Sequence, residues 1–268
     1  MRRPNTPVGM RFRGAFSLIV LLALLAGCGG DDNESAPTTT QEVTETGTTS
    51  STPTQPQQVA VRVYFLRDGK VAPVQRDVTG PAVGSAAVRE LLEGPTSDDQ
   101  GVDSAVSAGT ELESLSISSG VATVQLSEQP SDDAARAQLV YTLTQFPTVN
   151  RVDLGADRPV GRRAFESETP AVLVESPLPG ESVESGFAVR GTANTFEATF
   201  NYELKDSSGK VLRKNFVTAT SGSGTRGTFT FRVPYTVDKP QEGRLVVFEL
   251  SAEDGSRINE SEIPLRLQ

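Results

Sequence analysis

The chain has 268 residues, 25 of them basic and 34 acidic, for a formal charge of −9, and it contains no His and no Trp. Its one Cys and both Met lie in the first 28 positions, so the rest has no thiol, thioether or imidazole. This excludes Ser-His-Asp and Cys-His catalysis, Cys/His zinc sites, haem with the common His, Cys or Met axial ligands, and thiolate-ligated clusters; carboxylate, hydroxyl, amine and main-chain chemistry remains.

Residues 1–27 carry Arg2, Arg3, Arg11 and Arg13, no acid, and an apolar run from Phe16 to Leu25. A basic segment, a short apolar segment and small residues before a cut make a secretory signal. The run is shorter than the ~20 residues of a membrane span. Leu25-Ala26-Gly27-Cys28 resembles the lipobox of bacterial lipoproteins. That resemblance implies cleavage before Cys28 and diacylglycerol, with acyl chains such as palmitate, on its sulfur. The expected protein is extracytoplasmic and held on the cell membrane through Cys28. Cleavage would leave 241 residues of charge −13, since four arginines leave with the signal. Such a chain has no general attraction to nucleic acid, and none is expected as partner.

Residues 28–58 comprise the expected lipidated Cys and a Thr/Ser/Pro-rich stretch with no Lys or Arg and one sizeable apolar residue, Val43. Too little surface can be buried there to offset ordering entropy, so a disordered tether is expected. Ordered sequence is expected from Val59. A polar break at Arg162–Pro170 divides the remainder into segments 59–163 and 171–268, each long enough for its own core.

In the first segment Val59, Val61, Val63 and Phe65 alternate with Ala60, Arg62, Tyr64 and Leu66, a period-2 strand. Arg67-Asp68-Gly69-Lys70 reads as a hairpin turn into Val71–Val78, where Pro73 indicates an edge or a bulge. Pro81–Glu93 reads as a helix closed by Gly94-Pro95. A second hairpin spans Glu111–Ser118 and Val121–Ser127, with Leu115, Ile117, Val124 and Leu126 in the core. Ser131 is the expected cap of a second helix, with Asp132 and Asp133 in its first turn and Pro147 at its end. Val149–Leu154 is a last strand. The order β-β-α-β-β-α-β defines an α+β domain.

Val63-Tyr64-Phe65-Leu66, Leu91-Leu92-Glu93-Gly94-Pro95, the run Gly120–Ser127 and the run Tyr141–Val149 (YTLTQFPTV) resemble the GerM domain of bacterial sporulation and spore-germination proteins. The resemblance implies no enzyme and no cofactor. It implies a role in envelope assembly. The family's usual Pro before Gly-Thr is absent from Ser107-Ala108-Gly109-Thr110.

The second segment shows seven or so short strands with turn signals every 8–15 residues, an all-β antiparallel sandwich. Phe196, Ala198, Phe200, Tyr202 and Leu204 alternate with Glu197, Thr199, Asn201 and Glu203. Ile258, Ile263, Leu265 and Leu267 fall on the last strand. Glu175–Gly180, Val189-Arg190-Gly191-Thr192-Ala193, Phe196-Glu197-Ala198 and Glu249–Ser256 resemble the immunoglobulin-like domain that accompanies GerM domains.

No catalytic, metal or cofactor residue emerges, and Cys28 is the single site residue expected. Turn chemistry accounts for Asp68-Gly69, Asp206-Ser207-Ser208-Gly209 and Asp254-Gly255 better than calcium does. Glu90 with Glu93 and Asp132 with Asp133 are helix-flank and helix-start acids. Tyr64, Tyr141, Phe146 and Phe196 have core-compatible spacing, and Glu197 is expected to make a structural hydrogen bond. Gly222-Ser223-Gly224 reads as a flexible loop. Asn259-Glu260-Ser261 has the glycosylation form, which means little after a lipobox. The expected function is a non-catalytic binding or assembly module of the cell envelope, working with an envelope protein or a cell-wall polymer. The competing readings are a cell-wall glycan binder or carboxylate-based glycan hydrolase, and a ring-forming structural subunit.

Overall fold

The computed structural model describes residues 58–155 and 158–268; the signal, Cys28 and residues 29–57 lie outside the described residues. Pro53–Gln268 is one compact unit and contains both hydrophobic cores.

The first domain opens with β1 (Gln58–Arg67) and β2 (Lys70–Thr79), a two-stranded hairpin in unbroken register, with Pro73 opposite Tyr64. Pro73 therefore sits on an edge strand without a bulge. Helix α1 (Val83–Glu93) starts two residues later than expected and stops at Gly94, whose φ of +86° favours glycine. Then come β3 (Leu112–Ser118), β4 (Val121–Leu126), α2 (Asp133–Leu143) and β5 (Arg151–Asp153). The second sheet has the order β3-β4-β5, with β5 parallel to β4. Asp132, not Ser131, caps α2: its Oδ1 accepts the Ala135 N–H at 2.8 Å. Ile117, expected in the core, is 44% exposed. It stands on the edge strand β3, and the facing residue of α1 is Gly84, which has no side chain to cover it.

Helix α2 is apolar on most sides, yet Gln138 and Thr142 are fully buried. The reason is the second edge of β1. Gln138 donates to the Tyr64 carbonyl, Thr142 accepts the Tyr64 N–H at 3.1 Å, and Gln145 accepts the Arg62 N–H at 2.8 Å while donating to the Arg62 carbonyl. Spacing of i, i+4 places Gln138 and Thr142 on one stripe of the helix, and Gln145 follows in the turn just past its C-cap. A strand edge that would be buried unsatisfied is paired by side chains instead.

The second domain is a sandwich. β6 (Val172–Ser176), β8 (Phe187–Ala193) and β11 (Gly227–Val233) form one sheet in the order β11-β8-β6. The other sheet has the order β10-β9-β12-β13-β7, from β7 (Ser182–Val183), β9 (Thr199–Asp206), β10 (Val211–Thr218), β12 (Gln241–Leu250) and β13 (Arg257–Leu267). Phe200, Tyr202, Leu204, Leu245, Val247, Leu265 and Leu267 form its core. Gly191 is required by close approach: a Cβ there would lie 2.0 Å from the Leu173 carbonyl oxygen.

Several expectations for the sandwich are corrected. Phe196–Ala198 is a turn of 3-10 helix, not strand, because Glu197 and Ala198 adopt φ of 51° and 57°. Phe196 is accordingly 66% exposed, outside any aromatic core, and the Glu197 side chain points outward with only its main chain bonded. Ile258 is exposed as well, beyond a register shift in β13. Gly222–Gly224 is pinned rather than flexible: a Cβ on Gly222 would lie 2.5 Å from main-chain atoms, and Ser223 and Gly224 donate to Thr195 and Asn194.

Candidate functional site at the domain seam

The polar segment 162–170 proves to be a strap fastened on both sides. Residues Arg162–Phe165 form a 3-10 turn that buries Phe165 in the first core. Glu168 accepts the Val71 N–H, Thr169 bonds the Tyr141 hydroxyl at 2.7 Å, and Glu166 takes Arg226 at 2.8 Å and Asn194 at 2.8 Å from the sandwich. Strand β6 completes the junction by alternation: Val172 and Val174 enter the sandwich core, while Leu173 enters the first core.

At one end of the seam lies a dense polar cluster. The Tyr64 and Tyr141 rings are 5.3 Å apart, and the Arg162 guanidinium lies 5.4 Å and 4.5 Å from their centroids. Arg162 donates to Glu175 at 2.8 Å, to Thr144 Oγ1 at 2.7 Å and to the Tyr141 carbonyl, so it also caps the C-terminus of α2. The Tyr64 hydroxyl donates to the same Glu175 oxygen. Burial, then the Glu175 charge, push the Tyr64 hydroxyl above its ordinary range, which keeps it a donor. Burial works against the Glu175 carboxylate, but Arg162 and the Tyr64 hydroxyl outweigh it and hold its pKa below the ordinary 4.5. Burial likewise opposes the Arg162 charge, and Tyr64 and Glu175 more than restore it. The Tyr64 hydroxyl and the Arg162 guanidinium converge on one oxygen of Glu175, so the charged groups of the cluster are engaged with one another.

Further along the same seam the two domains part, leaving a groove of about 760 Å³. Its walls are the turn end of the β1–β2 hairpin, the strap, β6 and the middle of β13. β6 ends its sheet and pairs with β8 alone, and β13 meets β7 only at Arg266 and Leu267. Two strand edges with one unpaired side each therefore face this space. Lys70 stands on one wall, tied to the Ser167 carbonyl, and Glu260 and Glu262 stand on the opposite one.

The other sequence candidates take structural roles. Glu90 and Asp99 bind Arg76, and Asp133 binds Arg136. Asp206 Oδ1 accepts from Ser208 and Lys210, and Asp254 Oδ1 from Ser256, which is Asx-turn chemistry. Asn259 donates to the buried Glu249. Phe146 packs against the first core. Among the described residues no group of acids could hold a metal ion, and no helix is long and apolar enough to cross a membrane.

The fold is thus an α+β domain followed by an immunoglobulin-like sandwich. Residues 62–157 match the family described as sporulation and spore germination, and residues 171–256 match the immunoglobulin-like domain of bacterial spore germination. Solved structures similar to it include the first GerMN domain of the sporulation protein GerM from Bacillus subtilis, 20% identical over 38% of this chain and 90% of that one, with TM-score 0.32. The tandem GerMN domains of the same protein are 14% identical over 68% of this chain and 63% of that one, with TM-score 0.35. A putative lipoprotein from Clostridium perfringens is 16% identical over 42% and 93%, with TM-score 0.27. No curated protein sequence matches the chain. Neither family description names a catalytic activity.

Proposed function

We propose that this protein is a lipoprotein anchored through Cys28 to the outer face of the cell membrane, where it acts as a non-catalytic binding and assembly module in sporulation or germination. One observation carries this reading: two spore-germination domains are fastened at one end of their seam by a polar cluster, with a groove walled by strand edges further along it. An extended segment of an envelope protein partner would add to β13 or β6, with main-chain hydrogen bonds supplying affinity and the flanking charges supplying register. The tether would set the effective concentration.

The test places a photoreactive residue at Glu260 or Glu262 of the full chain in intact cells, with exposed Lys214 on β10 as control. Crosslinking to one discrete protein from the groove positions and not from Lys214 is the expected result. Equal labelling from all three would remove the groove from the proposal. Anchoring is tested separately: labelled palmitate should enter the wild-type chain and not Cys28→Ala.

A further inference from the structure

A second concavity, of about 540 Å³, lies where the C-terminal end of α2, the start of β5 and the start of the strap meet. Three arginines line it, Arg151, Arg162 and Arg163, together with Asn150, and no carboxylate does. In a chain of net charge −9 this is a local reversal of sign. The three are not equivalent. Arg162 is neutralised by Glu175. The Arg151 and Arg163 side chains are exposed and make no ion pair or hydrogen bond among the described residues, unlike Arg76, Arg226 and Arg257, which all bind carboxylates. Arg89 and Arg213 are also unpaired, but they line none of the described concavities.

Both guanidinium groups rise from fixed backbone. Alternation with the fully buried Val152 turns Arg151 outward, and the Asn150 and Arg151 N–H groups both donate to the Gly120 carbonyl, at 2.8 Å and 3.2 Å. Arg163 lies between two anchors, Arg162 in the polar cluster and Phe165 in the core. The Asn150 amide packs over Gly120, where a Cβ would come within 2.7 Å of it. Two like charges held beside one hollow without a counter-charge repel each other, and a bound oxyanion would relieve that repulsion. Planar guanidinium forks match the tetrahedral oxygens of phosphate in paired hydrogen bonds, which an isolated ammonium does not.

We propose that this concavity binds a phosphate ester between Arg151 and Arg163, with the Asn150 amide as a further donor. The site is separate from the groove and stands or falls without it.

The test uses the compact unit Pro53–Gln268. Glycerol phosphate is titrated in while the arginine side-chain N–H signals are followed by NMR, and the same protein is sedimented with phosphatidylglycerol or phosphatidylcholine vesicles. Saturable shifts of the Arg151 and Arg163 signals with glycerol phosphate assign a soluble phosphate ester. Binding to phosphatidylglycerol vesicles alone assigns a lipid headgroup. In either case Arg151→Gln and Arg163→Gln should each weaken binding by about tenfold or more, and Arg89→Gln should not. Both targets are exposed, so their thermal unfolding should match wild type. Absence of saturable binding to either probe, or binding unchanged in the Arg151→Gln/Arg163→Gln double variant, would overturn the proposal.

Discussion

The seam between the two domains has a sealed end and an open end, built to opposite rules. At the sealed end Tyr64, Tyr141, Arg162 and Glu175 bond one another within a few ångströms. At the open end β6 and the middle of β13 present main-chain edges that no strand covers, and pairing on β13 resumes only where the Pro264 carbonyl accepts the Gly180 N–H. The difference teaches how a cleft can be kept open. Exposed edges invite collapse or aggregation, and here the strap ties the domains beside the groove as well, Glu168 to Val71 and Glu166 to Arg226. The same chain treats a third edge differently: that of β1 is closed by Gln138, Thr142 and Gln145. Edge pairing is thus available to this fold and is not applied in the groove.

Breaking the sealed end should have the largest effect. Arg162→Ala leaves Glu175 and the α2 carbonyls without their cation, a loss of about 3 kcal/mol for a mostly buried pair. Chemical denaturation should show it, with the single unfolding transition separating into two as the domains uncouple. A double-mutant cycle with Glu175→Gln should show strong coupling. Leu173→Ala should cost about 2–3 kcal/mol through the cavity it opens in the first core, although the residue belongs to a sandwich strand; retention of wild-type stability would break the view of β6 as a shared element. Acid should act on the same end. Because the folded Glu175 pKa is depressed, its contribution is complete above about pH 4.5 and is lost as the pH falls through the folded value. Melting temperature should fall over that range, and the fall should be shallower in Glu175→Gln. Asp132→Ala should cost about 1 kcal/mol by removing the α2 cap, with no change at the seam. The smallest effect belongs to the open end: Glu262→Lys should change stability by no more than about 0.5 kcal/mol while abolishing groove crosslinking.

Legibility in the sequence followed the range of the interactions. The β-β-α-β-β-α-β order and the sandwich were visible because alternation and turn residues act over a few positions, and the Gly94 stop is a local steric matter. Phe196 misled because alternation cannot reveal a positive φ two residues into a run; Glu197 and Ala198 bend the chain before β9 begins. Polar residues at 138 and 142, one turn apart on α2, are the sequence signal of a buried polar partner, with Gln145 just past the helix. Arg162 opens what reads as a polar break, and Glu175 is only the first residue of the run Glu175–Gly180. Tyr64 stands 111 positions from the carboxylate it bonds, and no local pattern records that distance.

The sequence by itself settled the order of the main elements, the two domain resemblances and the absence of imidazole, thiol and indole after residue 28, because these depend on residue type and short spacing. The anchor proposed at Cys28 rests on the sequence alone. Tertiary structure alone decided that the polar break is a strap, that β6 serves two cores, and that Arg151 and Arg163 share a hollow without a counter-charge. Each of these depends on which distant surfaces meet, and that is settled by the summed packing of both domains.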